Sequence, residues 1–107
     1  MNIGFYIDEM NLRGVANSTY QFAYQNKIKL KNKSIIFYNK KNYRNKNNVI
    51  NKFKKKFKVI GISNFKEIDN YKDKFFIEYI YVQKSGKKDN WVSKKIKTLI
   101  HCVYPQK

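Results

Sequence analysis

The chain has 107 residues, enough for one domain with a core of its own. Lysine and arginine number 24 against 7 aspartates and glutamates, a formal net charge of +17, while 42% of residues are hydrophobic and 17% aromatic. That apolar content excludes an intrinsically disordered chain, the single cysteine, Cys102, excludes an intrachain disulfide, and no Cys/His cluster offers a zinc site.

Ile3, Phe5 and Ile7 alternate with Gly4 and Tyr6, the period of a first strand. From Val15 to Asn26 the period lengthens, and Val15, Thr19, Phe22 and Ala23 fall on one face of a helix. Lys27 to Lys33 is a basic connection. Ser34-Ile35-Ile36-Phe37-Tyr38 is a continuous apolar run, as expected of a strand buried on both faces. Asn39 to Asn48 reads as loop. Val49, Ile50, Phe53 and Phe57 then recur at helical spacing, with Lys52, Lys54, Lys55 and Lys56 outward. Val59-Ile60-Gly61-Ile62 is a third strand. Asn64 precedes Glu67 by three residues, a capping-box pattern, and Phe65, Ile68 and Tyr71 form the inner face of the helix it starts. Phe76 to Val82 is a fourth strand, Gln83 to Gly86 a turn, and Asp89 to Lys95 a short helical turn with Trp91 and Val92. Thr98 to Tyr104 is a fifth strand, stopped by Pro105.

The order βαβαβαβ with a fifth strand predicts a single α/β domain over residues 1–107. Its core is an open, mostly parallel, five-stranded Rossmann-like sheet with helices on both faces. Such sheets bind ligands beyond the carboxyl ends of their strands, where helix N-termini present free N–H groups.

The basic residues are almost all lysine: Arg13 and Arg44 are the two arginines, against 22 lysines. Arginine's planar fork suits bidentate phosphate and base recognition better than lysine's point charge. Abundant Lys, Asn, Ile, Tyr and Phe with scarce Gly and Pro is the bias of an AT-rich genome, and it makes much of the charge a solvated surface. The alternative is a lysine-rich nucleic-acid or polyanion-binding α/β module, using Lys52, Lys54, Lys55, Lys56 and Lys58 beside aromatic rings. No stretch approaches the roughly 20 apolar residues of a membrane span, so no transmembrane segment is expected. The N-terminus lacks a signal-peptide pattern. With one cysteine, these features suggest a reducing, cytoplasmic setting.

Strand one leads into Asp8-Glu9 and then Arg13-Gly14-Val15, where a glycine lets backbone approach a ligand at a helix start. Lys84-Ser85-Gly86 ends strand four at the same rim. His101, the one histidine, lies at the end of strand five beside Cys102, and is the candidate catalytic residue. Cys102 reads as core. The G-x-G-x-x-G of dinucleotide sites and the Walker lysine loop are both missing, and no cofactor is implied. Asp8 and Glu9 lack converging carboxylates at other strand ends, so a turn-capping role is expected for them over a metal-dependent nuclease site.

Gly4-Phe5-Tyr6-Ile7-Asp8 through Arg13-Gly14-Val15, Tyr20-Gln21-Phe22-Ala23, Asn32 to Tyr38, Tyr79 to Val82 with Lys84-Ser85-Gly86, and Thr98 to Tyr104 together resemble a known pattern. It is that of the N-terminal domain of a two-domain GT-B-type glycosyltransferase, in particular glycosyltransferase-like proteins of large DNA viruses and phages. The resemblance implies an acceptor-side domain that transfers a hexosyl group from a nucleotide-sugar to a glycan acceptor when completed by a donor-binding domain. It also implies that the loop at Arg13-Gly14 lines the cleft near the donor phosphates and that His101 stands near the transferring sugar; Val15 beside that loop and the backbone N–H groups of Lys84-Ser85-Gly86 complete the expected substrate-binding set. The acidic donor-gripping motif belongs to the second domain. The chain is therefore expected to be a truncated form, inactive alone or served by a partner chain, and cytoplasmic (host cytoplasm if viral).

Overall fold

A computed structural model describes residues 2–10, 14–84, 93 and 95–102, with backbone alone at 15, 84 and 100–102. The elements are β1 (Asn2–Ile7), α1 (Gly14–Ile28), β2 (Lys33–Asn39), α2 (Asn47–Lys54), β3 (Lys58–Ile62), a 3-10 helix (Phe65–Tyr71), α3 (Lys72–Phe75), β4 (Ile77–Lys84) and β5 (Lys97–Cys102). The five strands form one sheet in the order β3-β2-β1-β4-β5, and every neighbouring pair is parallel. The fold is thus the open, parallel α/β sheet that the alternation of apolar runs and amphipathic segments calls for.

The pleat sorts the core into two layers. Phe5, Ile7 and Ile36 point to one face and are covered by α1 and α2 through Ala16, Ala23, Val49, Ile50 and Phe53. Tyr6, Ile35, Phe37, Ile80 and Val82 point to the other, where Phe65 and Ile68 of the 3-10 helix pack with Ile96. Neighbouring positions of β2 therefore serve opposite layers, which is why its sequence reads as an unbroken apolar run. Gly4 lies between β2 and β4, and a Cβ there would stand 2.7 Å from Ile80 Cδ1 and 3.0 Å from Phe37 Cε2. The glycine makes room for two large side chains in the second layer. On the first layer, Tyr20 packs edge-on against Phe53 and Phe57, with ring centroids 5.1 and 5.5 Å away.

Buried polar groups tie α1 to β2. Asn26 donates to Ser34 Oγ (2.8 Å), Ser34 donates to the Ala23 carbonyl (2.9 Å), and Asn32 donates to Asn26 Oδ1 (3.0 Å). On the other layer, Ser93 Oγ hydrogen-bonds Asp69 of the 3-10 helix and accepts from the amides of Lys95 and Ile96.

Several boundaries differ from the sequence expectations. Phe22 is 44% exposed, because the buried stripe of α1 runs through Ala16, Thr19 and Ala23 and leaves residue 22 at its border. The segment after Asn64 is a 3-10 helix, continued by one turn of α-helix. Its apolar residues Phe65, Ile68 and Tyr71 repeat every third position, which suits about three residues per turn. Asn64 caps it by accepting from the Lys66 amide (3.0 Å), while Glu67 reaches back to the Ser63 amide (2.8 Å). Phe76 is not in β4; it ends α3 in the left-handed region, with φ 53° and 76% exposure. β4 continues instead through Gln83 and Lys84. Glu78 lies inside this strand, as expected, at a register irregularity where Asn2 pairs with Ile77 and Ile3 with Tyr79, and its side chain is exposed. The expected helical turn with Trp91 and Val92 lies outside the described residues, as do Val103 and Tyr104.

Candidate ligand crevice at the carboxyl ends of the strands

From β1 the chain reaches β2 on one side, whereas β4 adds on the other. The strand order therefore puts the topological switch point between β1 and β4, the place beyond whose carboxyl ends open α/β sheets form their ligand crevice. α1 begins there, so its N–H groups and the positive end of its dipole face the crevice mouth.

One wall is the loop after β1. Asp8 Oδ1 accepts from the Tyr6 hydroxyl (3.1 Å) and Asn39 Nδ2 (3.1 Å), and Asn42 Nδ2 reaches both the Asp8 carbonyl (3.0 Å) and Oδ2 (3.4 Å). Asn45 accepts from the Met10 amide (2.8 Å) and donates to the Asn39 carbonyl (2.8 Å), and the Lys46 amide donates to the Met10 carbonyl. Arg44 pairs with Glu9 at 3.4 Å. Asp8 and Glu9 thus hold the turn, as expected of them. Three asparagines spaced by three clamp the loop after β1 to the loop after β2. The sequence shows this clamp as a polar loop; the spacing of Asn39, Asn42 and Asn45 was its only signal.

The opposite wall is the end of β4. Gln83 is 4% exposed. Its Nε2 donates to Ser18 Oγ of α1 (3.1 Å) and to the Tyr81 hydroxyl (3.3 Å), while Oε1 has no partner among the described residues. Either hydroxyl can donate or accept, so turning the amide over would leave its other end unpaired instead. Thr19 Oγ1, in the same half of α1, is likewise buried and without a partner among the described residues. Buried polar groups in folded proteins are nearly always paired, so an amide with one idle end at a switch point marks a place where a ligand or water completes the bonding. Burial raises the Tyr81 phenol above its ordinary pKa, against a smaller lowering by the bond from Gln83.

Gly14 is the first residue of α1, and Val15 follows it in the helix. Lys84 ends β4, paired with Cys102, and His101 pairs with Gln83. Gly14, Lys84 and His101 therefore share the carboxyl rim. Strands lie about 4.8 Å apart, so β5 stands about 10 Å from β1 across β4. Arg13, Ser85 and Gly86 lie outside the described residues, and only the backbone of His101 and Cys102 is described. Gln83 and Ser18 are the crevice residues that sequence reasoning missed. Gln83 reads as the start of a turn, and Ser18 as an ordinary helical position.

Among the described residues no group of three or more His, Cys, Asp or Glu could hold a metal ion. No helix among them is long and apolar enough to cross a membrane. The chain matches no family model, no curated protein and no solved structure.

Proposed function

We propose that this chain is the acceptor-side domain of a glycosyltransferase, with the crevice between β1 and β4 as its ligand site. The observation that carries the reading is Gln83, a buried amide at the switch point with one end unpaired among the described residues. Sugar hydroxyls both donate and accept, and so complement either end of an amide. The start of α1 at Gly14 supplies N–H groups suited to a phosphate or a hydroxyl. In the transfer, the acceptor oxygen bonds the sugar's anomeric carbon as the bond to the nucleoside diphosphate breaks. The acceptor's proton passes to a base, and His101 is the candidate on this domain. The donor-gripping residues come from a second domain or a partner chain, so the isolated chain binds without turning over.

The test is calorimetry and saturation-transfer NMR with a panel of uridine and guanosine diphosphate hexoses and short glycans. Saturable binding is expected, weakened about tenfold by Gln83→Met, since an unpaired polar contact is worth about 1–3 kcal/mol. Absence of saturable binding to every sugar and sugar nucleotide refutes the reading, and so does turnover by the isolated chain for its claim of incompleteness.

A further inference from the structure

The amino ends of the strands carry a second feature, far from the crevice. An open cleft of about 730 Å³ lies there, between the end of α1 with the start of β2 and the end of α2 with the start of β3. Lys27, Lys31 and Lys33 line one side and Lys54, Lys55, Lys56 and Lys58 the other, and the described residues that line it include no carboxylate. Lys27 is engaged, donating to the Lys56 carbonyl and lying over the Phe57 ring at 5.8 Å. The other six are exposed, and neither Arg44–Glu9 nor Lys72–Asp73 draws on them. Two helix C-termini end at this edge, each with about half a negative charge. Together they offset about one of the seven lysines.

Exposed apolar side chains adjoin the cleft residues along the chain. Ile28 and Leu30, 53% and 67% exposed, stand between Lys27 and Lys31, and Phe76, 76% exposed, follows the cleft residue Phe75. Ile28 and Leu30, aliphatic side chains held out in water among lysines, offer a nucleic acid neither a ring for a base to stack on nor a partner for its phosphates. They are what an interfacial anchor requires: charge to approach an anionic surface and apolar groups to enter the headgroup–acyl boundary. Lysines suffice for this, because attraction to a lipid surface needs point charges and no bidentate fork.

The geometry points to this edge as a docking surface for an anionic lipid bilayer, with the lysines of the cleft over the headgroups and Ile28, Leu30 and Phe76 inserted. The crevice lies at the other end of the strands, so a docked domain keeps it open to water. This inference stands apart from the glycosyltransferase reading, since it uses a different surface and a different ligand.

The test is co-sedimentation of the full chain with phosphatidylcholine vesicles that contain or lack phosphatidylserine, across a salt series. Binding is expected to need the anionic lipid and to weaken with salt. Each lysine near such a surface is worth about fivefold, so replacing Lys54, Lys55, Lys56 and Lys58 with glutamine should weaken binding upwards of about a hundredfold. A control with the same loss of charge at the opposite edge, Lys40, Lys41, Lys46 and Lys66 to glutamine, should retain most of it. Leu30→Asn with Phe76→Asn leaves the charge unchanged and should weaken binding about tenfold or more through lost apolar insertion. Far-UV circular dichroism confirms that each variant folds. Equal losses in the two lysine variants, or no effect of the asparagine pair, overturn the proposal. So does tighter binding to a single-stranded oligonucleotide than to vesicles with the same dependence on Lys54 to Lys58, which assigns the cleft to nucleic acid.

Discussion

Gln83→Met tests whether the crevice is built at the expense of stability. Methionine keeps the length of the side chain and removes the amide. Removing it deletes two hydrogen bonds, to Ser18 and Tyr81, each worth about 0.5–1.5 kcal/mol net. Both partners are only part-buried and can turn to water, so the loss falls toward the lower end. The substitution also removes a buried oxygen that has no partner among the described residues, which costs the native state about 1–3 kcal/mol. The two effects nearly cancel, and the buried thioether adds apolar contact. The expected change in unfolding free energy is within about 1 kcal/mol of zero, of either sign. Gln83→Ala, which leaves a cavity as well, is expected to cost about 2 kcal/mol or more. Urea unfolding followed by far-UV circular dichroism measures both. A loss above about 2 kcal/mol for the methionine variant would mean that the amide is fully satisfied in the free protein. The case for a ligand at that position would then fail.

Other outcomes follow from single positions. Gly4→Ala places a methyl group against Ile80 and Phe37, both fully buried, and is expected to cost about 1–3 kcal/mol in the same urea assay. Phe76→Gly relieves a left-handed backbone at an exposed site and should raise the thermal midpoint, by about 0.5–1 kcal/mol of stability; a fall would show that the ring supports the fold. Because the Tyr81 phenol is raised in the folded state, the native protein keeps a proton that the unfolded chain has lost above pH 10. Stability from this group is complete below pH 10 and declines as pH rises through the folded value, so an alkaline unfolding series should fall less steeply for Tyr81→Phe than for the parent chain.

The sequence carried the architecture because its signals are local and strong. The alternation in Ile3 to Ile7, the unbroken run Ser34 to Tyr38 and the helical spacing of Val49, Ile50 and Phe53 each specify an element without reference to the rest of the chain, although Phe57, at the same spacing, falls beyond the end of α2 at Lys54. Alternation of such elements then demands parallel strands. What sequence could not settle were features set by contacts across the chain. Phe22 has the right residue type for the core but sits at the edge of the α1 stripe, and only the packed sheet fixes which arc of a helix is covered. Phe76 has the composition of a strand residue but is held as a cap by the turn before it.

The candidate sites divide in the same way. Gly14, Lys84 and His101 reach one rim because parallel strands bring all carboxyl ends together, and that much follows from element order alone. Gln83 gains meaning only when β4 lies beside β1 under α1, 65 residues away from Ser18 in sequence, with its amide buried and one end left idle. The lysines are visible in the composition as a diffuse charge. Their gathering around one cleft, bordered by Ile28, Leu30 and Phe76, depends on two helix ends and two strand starts meeting at one edge, which no local pattern of residues encodes.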